Sequence, residues 1–167
     1  ILYGAASGIK GTQRLVKCLN CSLIYENPRL SSEDILDGYR TSLEEEHDSQ
    51  FENRVNSFYK ALKKNKKFLP DQDSNVLDVG TASGAFLKAA KKYNYNAIGI
   101  DPSTDLVQRG IERGYDIKLG TIFSNNLQRK FDLICYWDVI EHLTNPLEVV
   151  VETRKYLKEN GVILINF

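Results

Sequence analysis

The segment from Asn75 to Gly84 reads NVLDVGTASG, and it decides the fold class. Its first five residues are mostly apolar, as in a buried strand, and a turn containing Gly80 follows. A helical stretch comes next, and then the apolar run at 97–100 ends at Asp101, 21 residues after Gly80. A strand, a glycine turn, a helix and an acid about 20 residues further on form the arrangement by which parallel α/β sheets bind nucleosides.

The chain beyond this segment continues to alternate helices and strands. Asn145 followed by Pro146 is typical of a helix start, and Ser103 is a second candidate N-cap. Near-continuous apolar strands are typical of parallel sheets that are buried on both faces. We therefore predict an α/β fold with a Rossmann-like, doubly wound, mainly parallel sheet that stops after strand five. The predicted helices cover 84–94, 103–114 and 145–161, and the predicted strands cover 75–79, 97–100, 116–119, 131–137 and 162–167.

Two smaller segments precede this predicted core at 75–167. In residues 1–30, two apolar runs flank Cys18 and Cys21, which predicts a hairpin with the CxxC sequence at its turn. Residues 31–74 are predicted to be helical and to end in a linker. Apolar residues from Phe51 to Leu69 recur at helical spacing, and Ser31 with Asp34 resembles a capping box.

The amino-acid composition indicates which kinds of partner and which cellular location to expect. The 167 residues suit one domain with a small appendage, and 22 basic residues balance 22 acidic ones. We therefore expect neither a nucleic-acid nor a membrane partner, and no apolar run is long enough to span a bilayer. Three cysteines do not suggest a disulfide framework, so we expect a cytoplasmic protein. A chain that begins at Ile1 and contains no methionine is expected to continue beyond its ends.

Asp78, just before the glycine turn, and Ala82, within it, distinguish between the candidate cofactors. A dinucleotide requires a second glycine where this sequence has Ala82, because the backbone there must approach a pyrophosphate. S-adenosylmethionine (SAM) has no phosphate and carries a sulfonium and an amino acid group. Asp78, two residues before Gly80, would attract such a cation and repel a pyrophosphate. These residues favour SAM over a dinucleotide.

Four segments in order resemble the motifs of class I SAM-dependent methyltransferases. They are 76–84, 98–101, 131–143 and 156–164, so that the resemblance covers about residues 75–167. It implies an enzyme that transfers a methyl group from SAM to a small-molecule acceptor by direct displacement. It also implies that the helices of 31–70 act as a lid. The expected acceptor is a sugar, a lipid precursor or a quinone-like metabolite, and the oligomeric state is left open.

The resemblance also implies roles for individual residues. Thr121 stands where many relatives carry an acid for the adenine amino group. The methionine part of SAM is expected to contact Gly80, Thr81, Ala82 and Gly84, and the ribose is expected to bind Asp101. The adenine is expected to contact Pro102, Thr121 and Ile122. The methyl end is expected to lie near Trp137 and Asp138.

Two motifs keep alternative interpretations. His142 follows the fourth predicted strand and is the candidate general base, unless it and Glu141 only order the loop. Cys18 and Cys21 resemble half of a zinc ribbon, and a zinc site would need a second ligand pair from the intact protein; otherwise they are free thiols. Cys135 is expected in the core. Two functions remain as alternatives, a nicotinamide oxidoreductase and a non-catalytic SAM-binding module.

Overall fold

The computed structural model describes residues 2–4, 12–28, 30–31, 34 and 50–167. The chain divides into two compact units, 1–42 and 43–167. The boundary falls inside the segment predicted as a helical lid, so the described helix of that segment belongs to the second unit.

The first unit contains a small antiparallel sheet. Its strands are β1 (Leu2–Gly4), β2 (Thr12–Lys17) and β3 (Ile24–Glu26), in that order across the sheet. The predicted hairpin is present, because β2 pairs with β3 and the N–H of Cys18 donates to the carbonyl of Leu23 at 2.8 Å. Strand β1 had no counterpart in the sequence-based prediction.

The predicted capping box is also present in the first unit. The N–H of Asp34 donates to Oγ of Ser31 at 3.1 Å, and the N–H of Ser31 donates to Oδ2 of Asp34 at 3.3 Å. Most of the helix that this box was predicted to start lies outside the described residues.

The second unit begins with helix α1 (Phe51–Lys64), followed by a 3₁₀ turn at Lys66–Phe68. The predicted apolar face of the helix is confirmed, since Phe51, Val55, Phe58 and Leu62 are buried.

A five-stranded parallel sheet forms the centre of this unit, and the predicted fold class is confirmed. The strand order β6-β5-β4-β7-β8 reverses direction between β4 and β7. In open α/β sheets such a switch point is where ligands bind, at the carboxyl ends of the strands. The strands are β4 (Asn75–Val79), β5 (Asn96–Asp101), β6 (Ile117–Leu119), β7 (Phe131–Trp137) and β8 (Leu157–Asn166); the helices between them are α2 (Ala85–Lys92), α3 (Thr104–Glu112) and α4 (Pro146–Thr153).

Both predicted helix starts are confirmed by their caps. Oγ of Ser103 accepts the N–H of Leu106 at 3.4 Å, and Oδ1 of Asn145 accepts the N–H of Glu148 at 3.4 Å. Each cap satisfies one of the N–H groups that a helix start leaves without an intrahelical partner.

The predicted end of the last helix was wrong. Helix α4 ends at Thr153 instead of Gly161, a 3₁₀ turn follows at Arg154–Tyr156, and β8 already begins at Leu157. Gly161 lies at an irregularity in the β7–β8 pairing, where a Cβ would come within 2.7 Å of Leu157 and 3.0 Å of the carbonyl oxygen of Phe131. The glycine serves close packing inside the strand, and the sequence pattern had taken it for a helix terminus.

The core lies on both faces of the sheet, as a doubly wound fold requires. One cluster packs α1 and α2 against Val76, Leu133, Cys135 and Trp137, and the opposite cluster includes Val149 of α4. Cys135 is buried, as expected. Because side chains alternate along a strand, Asp78 shares the face of Val76. The turn after β4 therefore opens toward α1 and α2. None of the helices in the described residues is long and apolar enough to cross a membrane.

Candidate functional site

The glycine turn after β4 is tied directly to the neighbouring strand. The N–H groups of Gly80 and Thr81 both donate to the carbonyl of Ile100, at 2.9 and 3.2 Å. Gly80 has φ 76°, and a Cβ there would come within 2.5 Å of a methyl group of Val139. The turn therefore requires glycine for its backbone conformation and for space.

Asp101 joins the same turn through its carboxylate. Its Oδ2 accepts the N–H of Ala82 at 2.8 Å, and its Oδ1 accepts the N–H of Ser103 at 2.9 Å. The two motifs that the sequence placed 21 residues apart are thus in contact. The carboxylate thereby ties the glycine turn to the start of the helix that follows β5.

A cleft opens beside this turn, and α1 closes it from above. Its free volume is about 10 Å³, enough for one water molecule. The side chains of α1 must therefore move aside before a nucleoside can enter. The residues that line the cleft are Phe51, Arg54, Phe58, Asp78, Gly80, Thr81, Ala82, Ser83, Ala85, Phe86 and Trp137.

Three buried polar atoms of these lining residues have no hydrogen-bond partner in the described part of the chain. They are Oδ1 of Asp78, Oγ1 of Thr81 and Nε1 of Trp137. Folded proteins rarely leave buried polar groups unsatisfied. Three unsatisfied polar atoms in one cleft indicate a place where a polar ligand supplies the missing partners. The oxygens of Asp78 and Thr81 can accept hydrogen bonds and the indole N–H of Trp137 can donate one, which suits the amino acid group of a ligand.

The charge of Asp78 depends on what occupies the cleft. Burial, together with the nearby Asp101 carboxylate, raises the pKa of Asp78 to about 8, although the neighbouring Thr81 hydroxyl group and the Arg54 guanidinium act to lower it. The carboxyl group is therefore largely protonated at neutral pH in the ligand-free protein. A bound cation would favour its ionised form and would be held by it.

The predicted site residues do not all reach this cleft. Asp78, Gly80, Thr81, Ala82 and Trp137 line it. Asp101 does not line it, although it is hydrogen-bonded to Ala82, which does. Gly84, Asp138 and the residues expected near the adenine also lie outside the cleft.

Gly84 shapes the turn before α2 and packs against Tyr115. It precedes α2 with φ 91°, its N–H donates to the carbonyl of Thr81 at 3.1 Å, and a Cβ there would lie 2.5 Å from the ring of Tyr115. Asp138 is exposed and has φ 55°, and its N–H donates to the carbonyl of Asn166 at 3.0 Å.

The residues expected near the adenine lie beside the carboxyl end of β5. The N–H of Gly120 donates to the carbonyl of Asp101 at 2.8 Å, which brings the turn with Thr121 and Ile122 next to Pro102. Ile122 is buried and packs in the second core cluster. None of the three lines the cleft under α1, so an adenine contact would be made on the other side of Asp101.

A family model described as a methyltransferase domain matches residues 51–166. This chain belongs to the class I SAM-dependent methyltransferases. The match begins at the first residue of α1, so the helix that closes the cleft is part of the family's domain.

Individual relatives agree with this assignment. The ubiquinone biosynthesis O-methyltransferase of Actinobacillus pleuropneumoniae serotype 7 is 31% identical in an alignment of 103 positions that covers 54% of this chain and 44% of the relative. The carboxy-S-adenosyl-L-methionine synthase of Nautilia profundicola is 31% identical in an alignment of 112 positions that covers 60% of this chain and 47% of that relative. The chain spans less than half the length of these two relatives.

A solved structure shows the same fold. The plantazolicin methyltransferase BpumL, in complex with a monoazolic desmethylPZN analog and SAH, superposes with a TM-score of 0.61 at 17% identity. The superposition covers 80% of this methyltransferase chain and 51% of that one.

His142, the candidate general base, lies outside the cleft of this methyltransferase. It is part of the 3₁₀ turn Ile140–His142, its side chain is 51% exposed, and its Nε2 is 3.9 Å from Oε1 of Glu141. Its N–H donates to the carbonyl of Val139 at 3.0 Å. His142 is not among the residues that line the cleft.

Helix α1 falls within the segment predicted as a lid, but none of its residues was predicted to line the cleft. Phe51, Arg54 and Phe58 all line the cleft, whereas the sequence pattern had indicated only that apolar residues from Phe51 onward share one face of a helix. A signal was available, since Arg54 lies three residues after Phe51 and four before Phe58. A cation in register with a buried helix face needs a partner, and a ligand is one such partner.

The two cysteines of the first unit were predicted to be free thiols or half of a zinc ligand set. Cys18 is half-buried and Cys21 is exposed, and both are free thiols. The N–H groups of Cys21 and Asn20, and the Cys21 side chain, lower the pKa of Cys18. Among the described residues, no group of three or more potential ligands is placed to hold a metal ion. Zinc binding in the intact protein stays a prediction.

Proposed function

We propose that this chain is the cofactor-binding core of an enzyme that transfers a methyl group from SAM to a small-molecule acceptor. The observation that carries the proposal is the buried Asp78 carboxyl, with an unpartnered oxygen, beside a glycine turn that is hydrogen-bonded to Asp101. Family membership supports the same cofactor.

The residues of the cleft would divide the cofactor between them. Asp78 would accept the ammonium group, the turn from Gly80 to Ala82 would follow the methionine chain, and Asp101 would accept the ribose hydroxyl groups. Pro102, Thr121 and Ile122 would border the adenine. Gly84 would act through the shape of the turn, because its own N–H is already bonded.

The cofactor supplies a methyl group on a sulfonium, which is already a good leaving group. The protein therefore has to align the acceptor with the methyl group and exclude water. Phe58, Phe86 and Trp137 form an aromatic wall, with ring centroids 5.0 Å apart for Phe58–Trp137 and 5.5 Å for Phe86–Trp137. Such a wall favours a flat, apolar acceptor.

A phenol or quinol is the acceptor class that we propose. Relatives named as ubiquinone biosynthesis O-methyltransferases support it, and the aromatic wall suits a planar ring. Methylation of a phenol also requires loss of a proton to a base. His142 would serve only after the 140–142 turn moves, because its side chain is exposed in the structure.

Calorimetric titration with S-adenosylhomocysteine (SAH), the demethylated product, tests the cofactor. We expect one SAH per chain and no measurable heat with NAD, because Ala82 and Asp78 do not suit a pyrophosphate. Heat with NAD and none with SAH would support the oxidoreductase alternative and contradict the proposal.

Turnover separates the enzyme from a non-catalytic module. We expect transfer of labelled methyl from SAM to a simple catechol, and loss of this transfer in an Asp78→Asn variant. A chain that binds SAH but methylates no phenol, amine or carboxylate acceptor would be a binding module.

We also propose a cytoplasmic location, no nucleic-acid partner and a role for α1 as the lid. Free thiols at Cys18, Cys21 and Cys135 and a net charge of zero support the first two. The position of Phe51 and Phe58 over the cleft supports the third.

A further inference from the structure

We propose that a groove at the amino ends of the parallel strands binds a small diphosphate ester, at a site separate from the cofactor cleft. The groove lies within the second unit, between the carboxyl ends of α1 and α2 and the linker that leads into β4, and its volume is about 480 Å³. Small-molecule pockets commonly have volumes between about 300 and 1,000 Å³. This inference does not depend on the proposed function.

The groove and the cofactor cleft lie at opposite ends of β4. The linker at 69–72, which forms one wall of the groove, precedes the strand, whereas the glycine turn of the cleft follows it. At about 3.3 Å per residue, the strand separates the two by about 15 Å. The two sets of lining residues do not overlap, so a ligand in the groove would not compete directly with the cofactor.

Three exposed lysines from three different elements line the groove. Lys63 is in the last turn of α1, Lys66 begins the 3₁₀ turn and Lys92 ends α2. Asp71 is the only acidic side chain among the described residues that line it, so three ammonium groups face one carboxylate. None of the three lysines forms an ion pair with a described residue. In a chain of zero net charge, this local excess of positive charge attracts an anion.

The helix ends explain these lysines only in part. A lysine near the carboxyl end of a helix interacts favourably with the helix dipole, which accounts for Lys63 and Lys92. Lys66 lies beyond the end of α1, and three like charges around one groove repel one another. A single carboxylate would balance only part of this charge. A diphosphate brings two or more negative charges together, and lysine binds phosphate groups as a point charge.

The remaining surface of the groove is largely apolar and is fixed by a hydrogen bond. Tyr59, Leu69 and Pro70 are partly exposed there, and Tyr93 is buried. The hydroxyl group of Tyr95 donates to the carbonyl of Pro70 at 2.8 Å, which anchors the linker to the start of β5. Partly exposed apolar side chains beside unpaired cations suit an ester whose organic body covers them while its diphosphate contacts the lysines.

Calorimetry with four probes tests the ligand class, in the presence of excess SAH to occupy the cofactor cleft. The probes are UDP, geranyl diphosphate, pyrophosphate and uridine. We expect one of the two esters to bind more tightly than pyrophosphate, which lacks an organic body, and uridine, which lacks the charge, to give no measurable heat. The tighter ester will show whether the body is a nucleoside or an aliphatic chain.

Substitutions of exposed residues test the location. Lys66→Gln and Lys92→Gln should each weaken binding of the tighter ester about 2- to 5-fold, as expected for loss of one exposed ion pair. Asp71→Asn removes the carboxylate of the groove and should strengthen binding by a similar factor. Lys118→Gln removes an exposed lysine of β6 that does not line the groove, and it should leave the affinity unchanged. None of these substitutions alters a buried side chain, so we expect all four variants to fold.

Three results would each overturn the inference. If neither ester binds, or if both bind no more tightly than pyrophosphate, the groove has no site for a diphosphate ester. If Lys118→Gln weakens binding as much as the groove substitutions do, the ester is held by general surface charge. If a single-stranded oligouridine binds more tightly than either ester, the lysines belong to a nucleic-acid surface, and the absence of a nucleic-acid partner proposed above is contradicted as well.

Discussion

At the residue scale, Asp78 opposes folding while the cleft is empty. Its folded pKa is about 8 and its ordinary value is 3.8, so between these values the folded chain holds a proton that the unfolded chain has lost. Stability therefore decreases as pH rises through this window, by up to about 1.4 kcal/mol per pH unit. The same carboxyl group is the one that we expect to bind the cofactor.

We predict that Asp78→Asn stabilises the ligand-free protein at pH 7.5 and loses binding of SAH. The gain should shrink as the pH falls toward the ordinary pKa of 3.8, below which the wild-type carboxyl group is protonated in both states. Urea unfolding at several pH values, with and without SAH, measures both effects. A variant that is less stable than the wild type at pH 7.5 would contradict the pKa assignment.

Asp132 provides a control, because its contribution to stability depends on pH in the opposite direction to that of Asp78. Burial works against ionisation there, but the Lys158 ammonium and the N–H of Asn75 hold the pKa of Asp132 below its ordinary value. Its contribution is present at neutral pH and is lost as pH falls through its folded pKa. Asp132→Asn should therefore lower stability at pH 7.5 and have less effect in acid.

Gly80 provides a second prediction at this scale. Gly80→Ala should lower the free energy of unfolding by about 2–4 kcal/mol, because it combines a left-handed backbone conformation with a clash against Val139. Val139→Ala in the same chain should remove the clash and keep the backbone strain. Denaturant titrations of both single variants and the double variant measure the coupling; purely additive losses would show that Val139 is not the obstacle.

At the element scale, a buried hydroxyl pair docks α4 onto the sheet. The hydroxyl groups of Tyr136 in β7 and Thr153 in α4 are hydrogen-bonded, and Oγ1 of Thr153 donates to the carbonyl of Val149 at 2.7 Å. Both residues are buried, so neither hydroxyl group has water as an alternative partner.

We predict unequal losses from this pair. Thr153→Val leaves the Tyr136 hydroxyl group buried without its partner and should cost about 1–3 kcal/mol, whereas Tyr136→Phe leaves Thr153 bonded to Val149 and should cost about 1 kcal/mol. The double variant should lose less than the sum of the single losses. Thermal and urea unfolding would measure the three values, and a larger loss in Tyr136→Phe would contradict this account.

The elements differ in how well sequence predicted them. The bounds of β4 and β7 were correct because both strands are apolar runs with sharp ends, at Ser74, Gly80, Lys130 and Asp138. The end of α4 was wrong because Gly161 has the composition of a helix stop and the function of a packing site in β8. The sequence placed α1 in a lid but did not identify the rings of α1 that line the cleft, because a ring that packs in the core and a ring that covers a site give the same apolar spacing.

At the scale of the whole molecule, the outer strands of the described sheet are unequal. Strand β6 has three residues, whereas β8 has ten and is followed by an exposed Phe167, with Ile165 also exposed. A long outer strand offers unpaired backbone groups to another chain.

We predict that the 167-residue chain associates as its concentration rises and that Ile165→Lys reduces this association. Leu119→Lys on the short strand β6 is the matched control and should have little effect. Light scattering after size exclusion measures both, and an equal effect of the two lysines would assign the association to general surface hydrophobicity.

The closed cleft has a consequence for kinetics that can be observed without any label. Trp137 is the single tryptophan of the chain, and it lies in the cleft wall. Its fluorescence would therefore report arrival of the cofactor. If α1 must move before the cofactor can enter, the rate of the fluorescence change in a stopped-flow experiment will reach a plateau as ligand concentration increases. The plateau will equal the rate at which the cleft opens. A rate that increases linearly with ligand concentration would mean that the cleft is already open in solution.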